Sequence, residues 1–258
     1  MMDRRVLQGG VRVLVPEQLE SDGFLVAFTE RAGGVSSEAF GSLNLGLRCG
    51  DDPARALENR RRVCGAVGMP PFALVRQVHG RRIVRAGRRR IGAGFEDPST
   101  ALGNADAIVT SSRGVALAVL AADCVPVALA DPAAGRLAVV HAGWRGVAQG
   151  VLRSALGCFP NPSEVRAAVG PAIGPDHYEV GPDVAAAVSA GNPGGAVTTR
   201  SGSRLLLNLP ATVTRILAAL GVRSVEWEEV CTACEPDRFF SHRRDGVTGR
   251  QAVVAIRS

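Results

Sequence analysis

The residues best suited to chemistry in this chain are a thiol and two imidazoles. In ADCVPVALADPAAGRLAVVHAGWRG, residues 122–146, Cys124 and His141 stand at the two ends of an apolar hairpin-like run, and His79 closes the apolar segment FALVRQVHG at 72–80. Each follows an apolar run in a short turn bearing glycine or proline, so strands of one sheet would deliver all three to the same edge. Two imidazoles and one thiolate with a fourth position open are a recognised catalytic zinc arrangement, the last position taking water or substrate. The spacing matches no compact metal motif, and two other readings stay open. Cys124 and His141 would serve as nucleophile and base without metal, or the three would be buried structural residues, a common fate of free cysteine.

Two further stretches bear on chemistry. HAGWRGVAQG, at 141–150, combines a strand end, glycines, Arg145 and a helix start, which suits an anion; equally, Gly143 and Gly146 would serve a tight turn that packs Trp144 into the core. Cys231 and Cys234 form one Cys-x-x-Cys without a second pair, which reads as structural.

The elements that must hold these residues alternate between strand and helix. GVRVLVP (10–16) and GFLVAFTER (23–31) read as strands joined by a polar turn, followed by a long Gly- and Ser-rich loop of the kind that usually carries function. Asp52 before Pro53 starts an amphipathic helix that stops at Gly68. FALVRQVHG reads as a strand with RRIVRAG pairing after a turn, then ADAIVTS, GVALAVLAADC and the hairpin VPVALADPAAGRLAVVHAG. RGVAQGVLRSALGCF reads as one helix, EVRAAVGPAIG as a strand and turn, GPDVAAAVSA as a short helix, RLLLNLPATVTRILAALG as a strand running into a helix, and VEWEEV as the last clear strand. The central strands are apolar on both faces and belong between layers. With no internal repeat or linker, residues 1–258 are expected to form one α/β domain with mixed sheets.

Composition narrows the function classes. Hydrophobic residues make up 46% and charged residues 21%, so a chain of 258 residues has the material for a large core and none of the signature of disorder. The longest apolar run, VALAVLAA at 115–122, is far short of the ~18–20 residues that span a bilayer, so no membrane partner is expected. MMDRRVLQGGVRVLVPEQLE has no apolar signal segment, and six scattered cysteines read as reduced thiols, which makes the cytoplasm the expected address. The net charge of +6 favours anionic partners.

The segments FTERAGGVSSEAFGSLNLG (28–46), RQVHG (76–80), ADAIVT (105–110), AADCVPV (121–127), VHAGWRG (140–146), VGPAIGPDHYEVG (169–181), LNLP (207–210) and CTACEPDRFFSHRRDG (231–246) resemble, in order and across nearly the whole chain, the YfiH family, whose domain is long labelled a multicopper polyphenol oxidase or laccase domain. The resemblance implies a four-layer α-β-β-α sandwich with mixed sheets and a Zn2+ ion held by His79, Cys124 and His141. It also implies purine nucleosides and phosphate as partners: phosphorolysis of adenosine, inosine, guanosine or methylthioadenosine, together with deamination of adenosine. Within it, Arg48 and Arg145 are the expected phosphate ligands, Asn44 a hydrogen-bonding group for ribose or base, and Asp123 either the orienter of a ligand histidine or a base. The family often has cysteine where Ala172 or Asp176 stand and an aromatic residue where His242 stands; His177 reads as a loop residue rather than a fourth ligand. Multicopper oxidases need about ten histidines for their copper centres, and four histidines do not suffice.

Two other functions compete. A cysteine hydrolase with Cys124 as nucleophile and His141 as base would fit the family's link to peptidoglycan precursor editing and its resemblance in fold to deamidating toxins. A nucleic-acid module is suggested by HGRRIVRAGRRR at 79–90, but no aromatics interleave the arginines for base stacking, so no nucleic-acid partner is expected.

Overall fold

The structure, a computed structural model, describes residues 2–257. Strands β1 (Met2–Val6), β2 (Arg12–Pro16) and β3 (Phe24–Thr29) are followed by β4 (Ile83–Arg85), β5 (Ala107–Thr110), β6 (Leu117–Ala121), β7 (Val125–Asp131), β8 (Arg136–Ala142), β9 (Arg166–Val169), β10 (Thr198–Ser201), β11 (Arg204–Leu207), β12 (Ser224–Trp227) and β13 (Gln251–Arg257). The helices are α1 (Glu17–Ser21), α2 (Pro53–Val67), α3 (Trp144–Ala148), α4 (Val151–Leu156), α5 (Pro182–Ala190), α6 (Leu209–Ala219) and α7 (His242–Asp245). One sheet has the order β1-β2-β3-β13-β6 and is antiparallel throughout; a second, β12-β9-β7-β8-β5-β4, is mixed, with its two outermost pairs parallel; β10 and β11 form a small antiparallel sheet of their own.

The layering follows from which face each side chain takes. Side chains alternate across a strand, so an all-apolar strand feeds two cores at once. In β7, Val127 and Leu129 pack outward while Ala128 and Ala130 pack between the sheets; in β13, Val253 and Ala255 face the inter-sheet core while Ala252, Val254 and Ile256 face the other way. Helix α2 covers the outer face of the first sheet with Val63 and Cys64, and α3, α4 and α6 cover the outer face of the second with Val147, Leu152 and Val213. The expected α-β-β-α sandwich is the architecture found, with one of its two large sheets antiparallel and the other mixed.

Several local expectations hold and several are revised. Asp52 caps α2 by accepting from the Ala54 N–H, and Gly68 ends it in the left-handed region at φ 77°. The stretch 144–156 is two helices rather than one, because Gly150 at φ 84° breaks it. The turn joining β2 to β3 contains the short helix α1.

Segment 72–80 is not a strand. Beyond the isolated bridges of Ala73 with Leu117 and Arg76 with Asn104, it is tied to β6 by the Gln77 side chain, whose Nε2 donates to the Leu120 carbonyl (2.7 Å) and whose Oε1 accepts from the Leu120 N–H (2.9 Å). An amide side chain thus replaces the ladder that the apolar pattern suggested. RRIVRAG supplies β4, which pairs in parallel with β5 rather than with 72–80. β12 is not the last strand: β13 lies between β3 and β6 in the middle of the first sheet.

Candidate active site

The β7–β8 hairpin explains why a thiol and an imidazole occupy its two ends. In this antiparallel pair Pro126 stands opposite His141, so the residue before β7 and the end of β8 meet at one sheet edge. His79 arrives from the loop before β4, its ring edge-on to that of His141 with centroids 4.9 Å apart. The Cys124 sulfur is 3.9 Å from His79 Nε2, and the donor atoms of the three residues all lie within 4.8 Å of one another.

One carboxylate holds both histidines. Asp106 immediately precedes β5, the neighbour of β8, and its carbonyl accepts from the His141 N–H at 2.7 Å. Asp106 Oδ1 meets His141 Nδ1 at 2.9 Å, so that nitrogen carries a proton and Nε2 is turned toward the cluster, where its lone pair would be the one offered to a metal. The same carboxylate accepts the backbone N–H groups of Val78 (3.2 Å), His79 (2.9 Å) and Gly80 (2.7 Å). These bonds hold His79 in the left-handed region at φ 58°, a conformation an L-residue keeps only when its surroundings enforce it. Burial alone would raise the Asp106 pKa, yet the His141 ring and the backbone donors keep it below the ordinary aspartate value.

Gly143 lets the cluster close. A Cβ there would stand 2.9 Å from the Cys124 sulfur and 2.9 Å from His79 Cδ2. Gly146 likewise admits the loop carrying His79, since its Cβ would meet the Gly80 carbonyl at 2.9 Å. The glycines of HAGWRG therefore serve close packing, Trp144 packs against the outer core, and Arg145 stacks on the indole at 4.5 Å.

The donor set fits a borderline-soft divalent ion. Zinc at about 2.3 Å from sulfur and about 2.0 Å from nitrogen in a tetrahedron separates the two donors by about 3.6 Å, close to the spacing found here. In the ion-free arrangement, burial pushes the Cys124 thiol up, but the charge and hydrogen bond of His141 bring it down to about 6. Burial also disfavours His141 protonation, and the Cys124 and Asp106 charges outweigh it, raising its pKa to about 9. Each group thus favours the charged form of the other, and a bound cation would take the place of the proton between them.

The cluster opens on a cavity of about 600 Å³, in the range of small-molecule sites. Arg48, Arg60, Arg76, Arg145, Arg250 and His242 share its lining with the three cluster residues, and no carboxylate is among the described residues that line it. Arg48 and Arg145 form no ion pair among the described residues and present their charge to the cavity. His242 stands at the rim, its Nδ1 donating to the Gly246 carbonyl at 2.6 Å, and takes no part in the cluster.

Two expected site residues lie apart from the cluster. Asn44 is fully buried and its amide is spent on the protein: Nδ2 donates to the Gly46 carbonyl and to Asp51, and Oδ1 accepts from the Gly46 and Arg250 N–H groups. It shapes the loop that presents Arg48 rather than facing a ligand. Asp123 contacts neither histidine; Oδ1 accepts from the Thr232 hydroxyl (2.7 Å) and Oδ2 from the Arg243 N–H (2.6 Å). It anchors the chain immediately before Cys124 at φ 89°, and the orienting carboxylate is Asp106 instead. The signal for Asp106 was present in NADAIVT, a lone acid at the mouth of an apolar strand.

The sequence profile of the family described as "Multi-copper polyphenol oxidoreductase laccase" matches residues 25–258. The purine nucleoside phosphorylase YfiH of Escherichia coli is 36% identical over 244 residues, 93% of this chain and 97% of that one. A purine nucleoside phosphorylase of Deinococcus radiodurans is 40% identical over 238 residues, 89% of this chain and 88% of that one. Among solved structures, YlmD from Geobacillus stearothermophilus superposes with a TM-score of 0.91 at 34% identity, covering 98% of each chain.

Proposed function

This chain belongs to the multi-copper polyphenol oxidoreductase laccase family, and from that premise we propose that it is a zinc-dependent purine nucleoside enzyme. It phosphorolyses adenosine, inosine, guanosine and methylthioadenosine and deaminates adenosine, residues 1–258 acting as one catalytic domain in the cytoplasm. The observation that carries this reading is the two-imidazole, one-thiolate cluster at the wall of a cavity lined by arginines, with no carboxylate among its described lining residues. The names of the relatives supply the substrate class. Copper oxidase chemistry is set aside because four histidines cannot furnish both a blue copper and a trinuclear centre.

In this proposal His79, Cys124 and His141 hold the zinc ion, and Asp106 fixes both imidazoles. Zinc bound there would supply Lewis acidity that lowers the pKa of water, the nucleophile that replaces the 6-amino group of adenine as ammonia leaves. Phosphorolysis makes a different demand: an O–C1′ bond forms as the C1′–N bond breaks, and the purine leaves with a proton. Arg48 and Arg145 hold the phosphate against C1′, their fixed charge compensating an anion that the apolar sheet edge could not accommodate alone.

The test pairs elemental analysis of the purified protein with product detection from adenosine in the presence and absence of phosphate. Adenine that forms only with phosphate, and inosine that forms without it, are expected from protein containing zinc. Metal-free protein with undiminished turnover would overturn the assignment.

A second reading has one specific observation in its favour. Asp106, His141 and Cys124 line up as acid, base and polarised thiol, the arrangement of a cysteine hydrolase such as one acting in peptidoglycan precursor editing. Full hydrolytic activity after chelation, abolished by alkylating Cys124, would select this reading.

A further inference from the structure

A second group of ligating side chains lies on a different loop pair. His177 ends the 3₁₀ turn Pro175–His177, and Cys231 and Cys234 occupy the turn after β12. His177 Nδ1 is 3.8 Å from the Cys231 sulfur and 3.4 Å from the Cys234 sulfur, and the three donor atoms lie within 4.8 Å of one another. Both spacings bracket the sulfur-to-nitrogen edge of about 3.6 Å in a zinc tetrahedron.

Two features hold this geometry without help from an ion. Ala172 and Cys231 form an isolated parallel bridge, and the Thr232 N–H donates to the Ala172 carbonyl at 3.0 Å, so the loops are in register. The Gly174 N–H donates to the Cys231 sulfur at 3.2 Å, a bond that strengthens when the sulfur carries charge. A Cβ at Gly174 would stand 3.2 Å from that sulfur and 3.0 Å from the Cys231 Cβ, so the glycine permits the close approach. Beside the two cysteines a cavity of about 160 Å³, lined also by Asp176, Asn208, Trp227 and Glu229, leaves room for a fourth ligand.

We propose that His177, Cys231 and Cys234 form a second metal site that takes one zinc ion, completed by water or by a carboxylate of the adjoining cavity. The site is separate from the His79–Cys124–His141 cluster and does not depend on the purine reading. Its role is to staple two loops that both grip Asp123: the Ile173 N–H donates to the Asp123 carbonyl at 3.0 Å, and the Thr232 hydroxyl donates to its carboxylate. The ion thereby steadies the backbone that precedes Cys124 without touching it.

The experiment counts zinc on the full chain, expressed with zinc, purified under reducing conditions and passed through gel filtration. Two equivalents per chain are expected. Cys231→Ser with Cys234→Ser, and separately His177→Asn, lower the count to one, as does Cys124→Ser at the other site. Cobalt substitution distinguishes the two remaining ions: the Cys124→Ser protein keeps its sulfur-to-cobalt charge-transfer band, and the Cys231→Ser, Cys234→Ser protein keeps only about a third of the wild-type intensity. One zinc per wild-type chain with Cys231 and Cys234 freely reactive toward a thiol reagent overturns the proposal. So does a Cys231–Cys234 disulfide recovered from the reduced preparation, and the wild-type count decides even where a variant folds poorly.

Discussion

Asp106→Asn is the most informative single change, because one carboxylate orients two candidate ligands that are far apart in the chain. The native side chain accepts from three backbone N–H groups and from the His141 ring. An asparagine keeps one acceptor oxygen and replaces the other with an NH₂ group. If the oxygen remains opposite His141 and His79, the NH₂ confronts the Val78 and Gly80 N–H donors; if it flips, His141 is driven to the tautomer that protonates Nε2. Two lost charge-assisted hydrogen bonds amount to about 3–6 kcal/mol, reduced by roughly half here because the 78–80 loop reaches solvent. Against a typical stability of about 5–15 kcal/mol the variant folds, with a clearly lowered melting temperature. Loss of such an orienting partner typically weakens metal affinity about 10–100-fold, and the upper end is expected because both imidazoles depend on this one group. Competition with a chelator measures the affinity, and calorimetry measures the melting shift. Zinc affinity within twofold of wild type and an unshifted melting temperature would refute the role assigned to Asp106.

Gly143→Ala leaves the backbone at ease, since φ −74° and ψ 160° suit alanine, yet its methyl collides with Cys124 and His79; the purified variant is expected to fold normally and lose the zinc equivalent that Cys124→Ser also loses. Arg48→Ala and Arg145→Ala should each raise the KM for phosphate about 10-fold, from about 1.5 kcal/mol for a charge-assisted contact, while adenosine deamination in phosphate-free buffer changes less than twofold; equal losses in both reactions would remove the phosphate role. In metal-stripped protein, alkylation of Cys124 should rise through a midpoint near 6 rather than near 9, because His141 stabilises the thiolate and the lowered pKa keeps it ionised above that pH. Added zinc should suppress alkylation throughout, and a midpoint unchanged from an ordinary thiol would contradict the Cys124–His141 pairing.

What was legible in the chain was whatever short-range pattern encodes. The β7–β8 hairpin, the cap and stop of α2, and the strand-end positions of Cys124 and His141 follow from apolar alternation and turn residues within a few positions. What was hidden depends on partners remote in sequence. QAVVAIR, the stretch that forms β13, has neighbours at 24–28 and 117–121, so nothing local marks it as an interior strand of a sheet. FALVRQVHG has the composition of a strand, but Gln77 uses its side-chain amide in place of a ladder, and a polar residue in an apolar run gives no hint of that exchange. Asp123 sits beside Cys124 in sequence and was the natural orienter to expect. The positive φ at Asp123 turns its carboxylate toward Thr232 and Arg243, and the neighbouring strand supplies Asp106 instead. The encounter of His177 with Cys231 and Cys234 is a loop-to-loop meeting of the same remote kind.

The charges around the cavity narrow what it can accept. Two neutral imidazoles and one thiolate leave a divalent ion with a net positive charge of one, and five arginines, Arg48, Arg60, Arg76, Arg145 and Arg250, line the same cavity without a carboxylate among its described residues. A dianion such as phosphate is drawn to this concentration of positive charge, most of all to Arg48 and Arg145, while a neutral nucleoside gains little from it. Phosphate should therefore bind first and prepare the site for the nucleoside, since placing the anion lowers the field that a sugar developing positive character at C1′ would otherwise oppose. Adenosine deamination involves no such anion. One cavity serving both reactions would consequently be expected to favour phosphorolysis as phosphate rises and deamination as it is withdrawn.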